Sequence, residues 1–197
     1  MGSGDVVLSG GLDPSRGLAR VRIHDTTTLT QGAADLWQRA LDVGRVVMAA
    51  EDLGTAERAL DLAVAHAQER HAFGRPIGSF QAVKHRLVDV WSATDQLRSL
   101  VWWGAWSADS DPAQLPQAAS AAKAHAARTL EQAAEAFVHV LGGIGFTWEH
   151  DAHLFWRRAK VDRLLLGDEA THLDRVARLA LEGARAAKPC ETRLGDL

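Results

Sequence analysis

The pattern of apolar positions predicts a mainly helical chain behind a short β segment. Between residues 5 and 25 the apolar side chains alternate loosely, and Val21 and Ile23 lie two positions apart, which favours one or two strands. From about Gln31 to His71 the apolar spacing changes to steps of three and four residues, which predicts one long helix. The positions that follow this spacing are Leu36, Ala40, Val43, Val47, Ala50, Gly54, Ala59, Leu62 and His66.

A second helix is predicted after a cluster of helix breakers. Gly74, Pro76 and Gly78 interrupt the helical spacing. Ser79 is a candidate N-cap, because its hydroxyl can accept a hydrogen bond from a free amide of the first turn. The apolar stripe that predicts the helix consists of Val83, Leu87, Val90, Thr94, Leu97, Val101 and Ala105.

The remaining pattern predicts two more substantial helices. The polar, proline-containing segment 109–112 ends the second helix, and an alanine-rich third helix covers about 115–141. A short helical stretch follows at 151–158, and Asp168 is a candidate cap for a last helix that continues to about Ala187. Four substantial helices with short connections predict an all-α, antiparallel four-helix bundle preceded by a short β segment.

Composition excludes several classes of function. The 22 basic and 25 acidic residues give a net charge of -3 without a basic cluster, so nucleic acid is not an expected partner. The one cysteine, Cys190, can form neither an internal disulfide nor a cysteine metal site, which favours a reducing, cytoplasmic setting. No stretch approaches the roughly 20 apolar residues of a membrane span. At 197 residues the chain is long enough for one domain with a sizeable core.

Two short motifs stand out, and each has a simple structural explanation. Arg70 begins the segment RHAFGRPIGSFQ, and a cation at a helix C-terminus is favoured by the helix dipole. Gly142 and Gly143 follow the third helix, where glycine commonly forms a C-cap. Taken one at a time, neither motif requires a functional interpretation.

Taken together, the order and spacing of these motifs resemble the C-terminal part of the acyl-CoA dehydrogenases. The resemblance covers Leu12 to about Leu181. It implies that residues 1–28 are the end of the family's middle β domain, 29–187 its four-helix FAD and oligomerisation domain, and 188–197 a polar tail. The family's N-terminal domain has no counterpart here, and the Met1–Gly4 start favours truncation. The segments that carry the resemblance are 12–16, 70–77, 80–81, 119–123, 141–146, Glu149 and 157–160.

In this family the matching residues reach across a subunit interface to the diphosphate and adenosine of a neighbour's FAD. A guanidinium offers phosphate a fixed fork of donors, and glycine lets the backbone approach a ligand closely. The sequence departs from the family at position 139, which is usually Gln, and at Ala72, where a hydroxyl is common. The implied cofactor-binding residues are Arg70, Phe73, Gln81, His139, Gly142 and Gly143.

The resemblance also aligns this sequence with the positions of the family's catalytic carboxylate, and neither position carries one here. Most members use a Glu at the position of Leu166 to remove the substrate's α proton, and another branch uses a Glu at the position of Gly44. Asp168 and Ala170 also replace a Thr and a Gln of the family. A relocated base at Glu51 or Glu169 is an alternative, although each is more simply a surface helix carboxylate, with Glu169 favoured in a first turn.

Two other side-chain groups have simpler explanations than ligand binding. His150 and His153 lie three positions apart, a spacing compatible with a metal, but the family has none there and no metal is expected. Trp102, Trp103 and Trp106 point to different helix faces, so we expect them to pack between helices or at a subunit interface.

The resemblance therefore implies a non-catalytic subunit of a heteromeric acyl-CoA dehydrogenase, most like that of actinobacterial heterotetramers that degrade steroid side chains. The expected partner is a homologous chain that carries the Glu, in an α2β2 assembly that shares FAD. The expected substrate of the assembly is an acyl-CoA, and its expected electron acceptor is an electron-transfer flavoprotein. The alternatives are a homotetrameric dehydrogenase with a relocated base and a related protein with a non-dehydrogenase role.

Overall fold

The computed structural model describes residues 4–24 and 31–186, which form an N-terminal β hairpin followed by a helical bundle. Strands β1 (Gly4–Ser9) and β2 (Leu18–Ile23) pair antiparallel, with Val6 opposite Val21. The two-residue strands β3 (His71–Ala72) and β4 (Arg75–Pro76) and a 3-10 turn connect the first two helices. The helices are α1 (Ala34–Glu69), α2 (Gln81–Ser110), α3 (Leu115–Leu141), α4 (Ala152–Asp162) and α5 (Glu169–Ala186).

The predicted all-α bundle behind a short β segment is confirmed. The predicted bounds of α3 agree with those observed, and α2 ends within the predicted breaker segment. The fourth helix is longer than expected and continues to Asp162. The predicted polar tail at 188–197 and the β-domain residues 1–3 and 25–28 lie outside the described residues.

Helices α1 and α2 run antiparallel. Near one end, Arg39 Nη2 donates to the Ala108 carbonyl oxygen over 2.8 Å. At the other end Gly78 packs so closely on α1 that an added Cβ would lie 2.9 Å from the Ala67 carbonyl oxygen, so this approach requires glycine. Helix α3 returns beside α1, and its first residue Leu115 packs with Val46. The end of α1, the start of α2 and the end of α3 therefore share one end of the bundle.

Helix α3 forms the centre of the core. Its alanines allow neighbouring helices to approach closely, and Ala118, Ala122 and Ala134 are completely buried. Phe137 contacts Phe155 of α4 edge to face, with ring centroids 5.5 Å apart. The largest buried apolar cluster lies at the shared end of the bundle described above.

Two details of the sequence prediction need correction. Ser79 is not the N-cap of α2, because it lies in the 3-10 turn and the helix begins after Phe80. Its hydroxyl has no hydrogen-bond partner among the described residues. The apolar positions that predicted α1 also lie largely on its outer face, where Leu36 is 69% and Val47 63% exposed. Because the first half of α1 is apolar on most sides, its periodicity identified the helix but not its buried face.

Candidate functional site

The chain reverses direction at Arg70, which caps the C-terminus of α1. Its N–H donates to the His66 carbonyl oxygen over 2.9 Å, and its own carbonyl accepts from Ile77 N over 2.8 Å. These two bonds fix the loop that carries the side chain. The guanidinium itself is exposed and has no ion-pair partner within residues 4–24 and 31–186.

Phe73 lies at the tip of this loop and points into solvent. Its backbone is left-handed, with φ 54°, and the residue is 95% exposed. A large non-glycine residue seldom adopts this conformation, which costs roughly 1–2 kcal/mol. The ring has one aromatic neighbour, Phe80, at 6.2 Å, and Arg75 covers Phe80 at 4.1 Å. Gln81, the first residue of α2, is also exposed.

The other predicted residues lie where α3 ends. Gly142 has φ 66°, and its N–H donates to carbonyls of the last turn of α3, including that of His139. A Cβ added to Gly142 or to Gly143 would meet no atom within 4 Å, so the backbone here is open to an incoming group. Gly145 differs, because its Cβ would lie 2.7 Å from the Val138 carbonyl oxygen, which gives it a packing role.

His139 lines a cavity of about 340 Å³ beside this glycine pair. The exposed imidazole stands beside the last turn of α3 and the 3-10 turn that follows it. The cavity is also lined by Arg86, Glu135, Val138, Gly145, Phe146, His153 and Trp156. We call the group Arg70, Phe73, Gln81, His139, Gly142 and Gly143 the Arg70 end, because the structure places all six at one end of the bundle.

The two positions at which the resemblance expects a carboxylate meet in the structure. A Cβ added to Gly44 on α1 would lie 3.5 Å from Leu166 Cδ1. Leu166 belongs to the connection between α4 and α5, residues 163–168, which we call the Leu166 loop. A leucine side chain has no lone pair to accept a proton, and glycine has no side chain. Two sequence positions more than a hundred residues apart thus define one location without a base.

Internal hydrogen bonds hold the Leu166 loop in a strained conformation. Leu166 has φ 59° and Gly167 φ 105°. The Leu166 carbonyl oxygen accepts from Arg45 Nε over 3.2 Å and from His172 Nε2 over 2.9 Å. Burial lowers the pKa of His172, which favours the neutral ring that can donate from Nε2. Gly167 is required because its Cβ would lie 2.7 Å from His172 Nε2.

A buried ion pair between α1 and α5 supports this loop. Asp42 is 1% exposed, and it accepts from Arg45 Nη1 over 2.6 Å and from both terminal nitrogens of Arg175. Arg175 also donates to Ser120 of α3. Burial alone would raise the pKa of Asp42, but the hydrogen bonds from Arg175 and Arg45 outweigh it and hold that pKa below its usual value. Apolar periodicity does not predict this network, although the charged Asp42 among the apolar positions of α1 was a signal for it.

The structure also places the two other substituted family positions and the two candidates for a relocated base. The predicted cap is confirmed, because Asp168 Oδ1 accepts from Thr171 N over 2.9 Å. Ala170 lies exposed in the first turn of α5. Of the two candidates for a relocated base, Glu51 accepts hydrogen bonds from Arg16 and Arg158, and Glu169 lies 3.9 Å from Arg128.

The Arg70 end and the Leu166 loop lie far apart. Gly44 and Arg70 belong to one continuous helix, and a rise of 1.5 Å per residue separates them by about 40 Å. Within one chain they therefore cannot contribute to the same reacting centre.

A second buried charge cluster joins the β hairpin to the bundle, and sequence reasoning missed it as well. Lys123 is completely buried and donates to the Asp162 carbonyl oxygen over 3.0 Å. Arg16 donates to the Asp162 carboxylate over 2.8 Å, and Arg158 donates to Asp13. These contacts attach the segment after β1 to α4, Arg16 also donates to Glu51 of α1, and Lys123 joins α3 to the same cluster.

Asp52 at the centre of this cluster is best described as neutral. Burial and the neighbouring Asp162 carboxyl raise its pKa to about 8. Within the described part of the chain, neither carboxyl oxygen of Asp52 has a hydrogen-bond partner, and Asp162 Oδ1 has none either. A protonated Asp52 could donate a hydrogen bond to Asp162 Oδ1 and so provide a partner for both groups. With Asp52 neutral, three anions balance three cations: Asp13, Glu51 and Asp162 with Arg16, Lys123 and Arg158.

The histidine pair is occupied by packing. His150 Nδ1 accepts from Ala152 N, and its ring contacts Phe137. The His153 ring meets Trp148 edge to face, with ring centroids 4.5 Å apart. Within residues 4–24 and 31–186, no group of three or more metal-ligating side chains converges. None of the helices in those same ranges is long and apolar enough to cross a membrane.

Comparison with known proteins gives consistent matches. Residues 31–181 match the family described as acyl-CoA dehydrogenase, C-terminal domain. The chain is 39% identical over 155 residues to acyl-CoA dehydrogenase IpdE2 of Mycobacterium tuberculosis, and the match covers 79% of this chain and 45% of IpdE2. Thus it spans about half the length of the curated relatives it matches first.

Two solved structures show the same fold. A chain of the ChsE4-ChsE5 complex from Mycobacterium tuberculosis superposes with a TM-score of 0.82 at 27% identity, covering 91% of this chain and 49% of that one. A variant of the Tcur3481-Tcur3483 steroid ACAD superposes with a TM-score of 0.84 at 28% identity, covering 92% of this chain and 50% of that one.

Proposed function

The chain belongs to the acyl-CoA dehydrogenase family, and from this premise we propose that it is a non-catalytic subunit that completes the FAD site of a homologous partner. The observation that carries the proposal is the separation of the two regions. Arg70 offers a guanidinium without an ion-pair partner among the described residues at one end of α1, whereas the expected base position about 40 Å away holds Leu166 and Gly44. The chain thus keeps one half of a composite site and lacks the other.

The Arg70 end fits a dinucleotide in its chemistry. Arg70 would bind the diphosphate, because a free guanidinium can form paired, charge-assisted hydrogen bonds with phosphate oxygens. Gly142 and Gly143 would let the adenosine portion approach the backbone, and His139 and Gln81 would supply polar contacts. Phe73, held out in solvent, would cover an apolar part of the ligand or of the partner. The bound flavin would accept the hydride that leaves the substrate's Cβ.

The partner would supply the reactive carboxylate. A homologous chain with Glu at the position of Leu166 or of Gly44 would take the α proton of the acyl-CoA thioester while this chain holds the far end of the cofactor. The names of the two solved relatives, each a pair of chains, support a heteromer. The word steroid in one of those names supports a steroid-derived acyl group, and an electron-transfer flavoprotein would reoxidise the complex.

Co-expression tests the proposal. The chain purified alone should be colourless, and it should become yellow and active when co-expressed with a homologous chain that carries the Glu. Arg70→Ala in the complex should weaken flavin retention about 10–100-fold, the value of a lost charge-assisted hydrogen bond pair. Arg58→Ala is the matched control, because Arg58 is exposed on the outer face of α1 and its loss should leave the flavin content unchanged. Yellow, active protein from the chain alone would refute the proposal.

A further inference from the structure

His172, in the first turn of α5, is a buried histidine that holds the Leu166 loop. The residue is 1% exposed, and its Nε2 donates to the Leu166 carbonyl oxygen over 2.9 Å. Nε2 carries the proton of the neutral ring, because a carbonyl oxygen can only accept, and Nδ1 carries the lone pair. Nδ1 is buried and has no hydrogen-bond partner among the described residues. A second proton, added at Nδ1, would therefore have no acceptor among those residues.

The charged groups around this ring disfavour a positive charge on it. Burial lowers the pKa of His172 most, and neighbouring cations lower it further, although the hydrogen bond to Leu166 acts in the opposite direction. Two acids do not offset the cations, because Asp42 is already paired with arginines of α1 and α5, and Asp168 is exposed and caps α5. The cations come from three helices and are Arg45 of α1, Lys123 of α3 and Arg175 of α5.

The Leu166 loop depends on its polar contacts. None of its residues belongs to the buried apolar clusters of the described chain, and Leu164 and Leu166 are 67% and 38% exposed. Leu166 also has a left-handed backbone, with φ 59°, which is unfavourable for a leucine. The hydrogen bonds from His172 and Arg45 to the Leu166 carbonyl oxygen hold it in this conformation. Loss of the bond from His172 should therefore loosen the loop.

We propose that His172 makes the Leu166 loop sensitive to acid: protonation of Nδ1 drives the ring out of its buried place and releases Leu166 from the bundle. The imidazolium can be hydrated only after it leaves that place, and the Leu166 carbonyl oxygen then loses one of its two donors. Leu166 moves away from Gly44 and leaves the left-handed region. Arg163 stays attached, because it donates to both carboxylate oxygens of Glu131 over 3.0 and 3.1 Å, so the release is confined to the loop and the start of α5.

The sign of the pH dependence follows from the two environments of His172. In the open loop the ring is in water and titrates near its ordinary value of 6.5, whereas in the closed loop its pKa is lower. The closed loop is therefore fully stable above pH 6.5 and loses stability as the pH falls below that value. Each opening takes up one proton, so the ratio of open to closed loop should rise by up to about tenfold per pH unit. The rise ends at the pKa of the closed form.

Hydrogen exchange of the full chain tests this proposal. The amides of Leu165 and His172 are hydrogen-bonded on either side of Leu166, so peptides that contain them report on the loop. Protection factors, corrected for the intrinsic exchange rate at each pH, should be constant from about pH 7.5 to pH 6.5 and should then fall by up to about tenfold per pH unit. Peptides from the centre of α3 should keep constant protection over the same range. The experiment needs neither flavin nor a partner chain, so its result is independent of the proposed function.

His172→Gln is the deciding variant, because a glutamine amide can donate to the Leu166 carbonyl oxygen but does not titrate. Its loop protection should be the same at about pH 5 as at about pH 7.5. His125→Gln is the matched control, since His125 is also partly buried and its Nε2 lies 3.2 Å from the Ala93 carbonyl oxygen. This control should keep the pH dependence of the wild-type loop. A pH dependence that persists in His172→Gln, or disappears in His125→Gln, would overturn the assignment to His172.

Nitrogen NMR of the wild-type chain provides a second measurement that does not depend on the folding of a variant. The ring nitrogens of His172 should show the Nε2–H tautomer at about pH 7.5. The imidazolium form should appear only as the protection of the loop falls. An imidazolium that forms while the loop stays protected would refute the proposal, and so would wild-type loop protection that does not change below pH 6.5.

Discussion

The Arg70 end and the Leu166 loop use their polar groups in opposite ways. At the Arg70 end, the Arg70 guanidinium and the Gln81 amide are exposed and unpaired within the part of the chain that the structure describes. At the Leu166 loop, Arg45 and His172 donate hydrogen bonds to the carbonyl oxygen of the apolar Leu166. Asp42 is paired with Arg175. The capacity of a region to bind a ligand therefore depends on which polar groups remain free, and not on how many are present.

The largest expected effect comes from breaking the support of the Leu166 loop. Asp42→Ala would leave Arg175 and Arg45 without their buried partner, and loss of one member of such a pair costs about 3–5 kcal/mol. Urea denaturation should therefore show a lower free energy of unfolding by that amount. Asp35→Ala, in the exposed first turn of α1, is the control and should cost at most about 1 kcal/mol. If both variants lowered the free energy of unfolding by a similar amount, the Asp42 ion pair would not be the main support of the Leu166 loop.

Asp42 also gives the stability of this region a pH dependence of defined sign. Its folded pKa lies below the usual value of 3.8. The contribution of the ion pair is therefore complete above pH 3.8 and is lost as the pH falls through the folded pKa.

Asp52 should give the free energy of unfolding a pH dependence of the opposite sign to that of Asp42, because its folded pKa is raised to about 8. The unfolded chain loses the proton above pH 3.8 while the folded chain keeps it, so Asp52 lowers stability progressively from pH 3.8 to about 8. Asp52→Asn should remove this decline, which denaturation at a series of pH values would measure. A decline of unchanged slope in the variant would mean that Asp52 is not the group that keeps the proton.

Most of the fold could be predicted from the sequence, because helix periodicity and chain breaks are local signals. The end of α2 at Ser110 and both ends of α3 agree with those signals. The error at Ser79 has a tertiary cause, since the close contact between Gly78 and Ala67 places Ser79 in a 3-10 turn instead of at the helix start. Which residue becomes the N-cap of a helix therefore depends on such packing as well as on residue type.

The candidate site could be predicted only in part. The family register marked Leu166 and Gly44 separately, and their contact appears only when α1 and the Leu166 loop are folded together. The buried charges of Asp42, Asp52 and Lys123 were missed because their partners come from distant segments. The sequence contained one usable signal, charged residues at positions where α1 and α3 are otherwise apolar.

A smaller effect is expected from the backbone of the Leu166 loop. Gly167→Ala combines a φ of 105° with a clash against His172, and should lower the free energy of unfolding by at least about 1–2 kcal/mol. Gly183→Ala is the matched control in α5, where a Cβ meets no atom within 4 Å, and it should raise the free energy of unfolding by about 0.5–1 kcal/mol. The two alanine substitutions should therefore differ in sign, and the same sign for both would show that the loop is not constrained.

The smallest expected effect on stability is at the Arg70 end, where one arginine can be compared directly with an arginine of the Leu166 region. Arg70→Ala removes an exposed side chain that has no ion pair with any described residue, so the free energy of unfolding of the flavin-free chain should change by no more than about 0.5 kcal/mol. Arg175→Ala removes the same residue type from the Leu166 region, where it holds a buried carboxylate, and should cost about 3–5 kcal/mol. Thermal or urea unfolding of both variants would measure the difference. If Arg70→Ala destabilised the flavin-free chain as much as Arg175→Ala, the guanidinium of Arg70 would have an internal structural role and would not be free to bind a partner's cofactor.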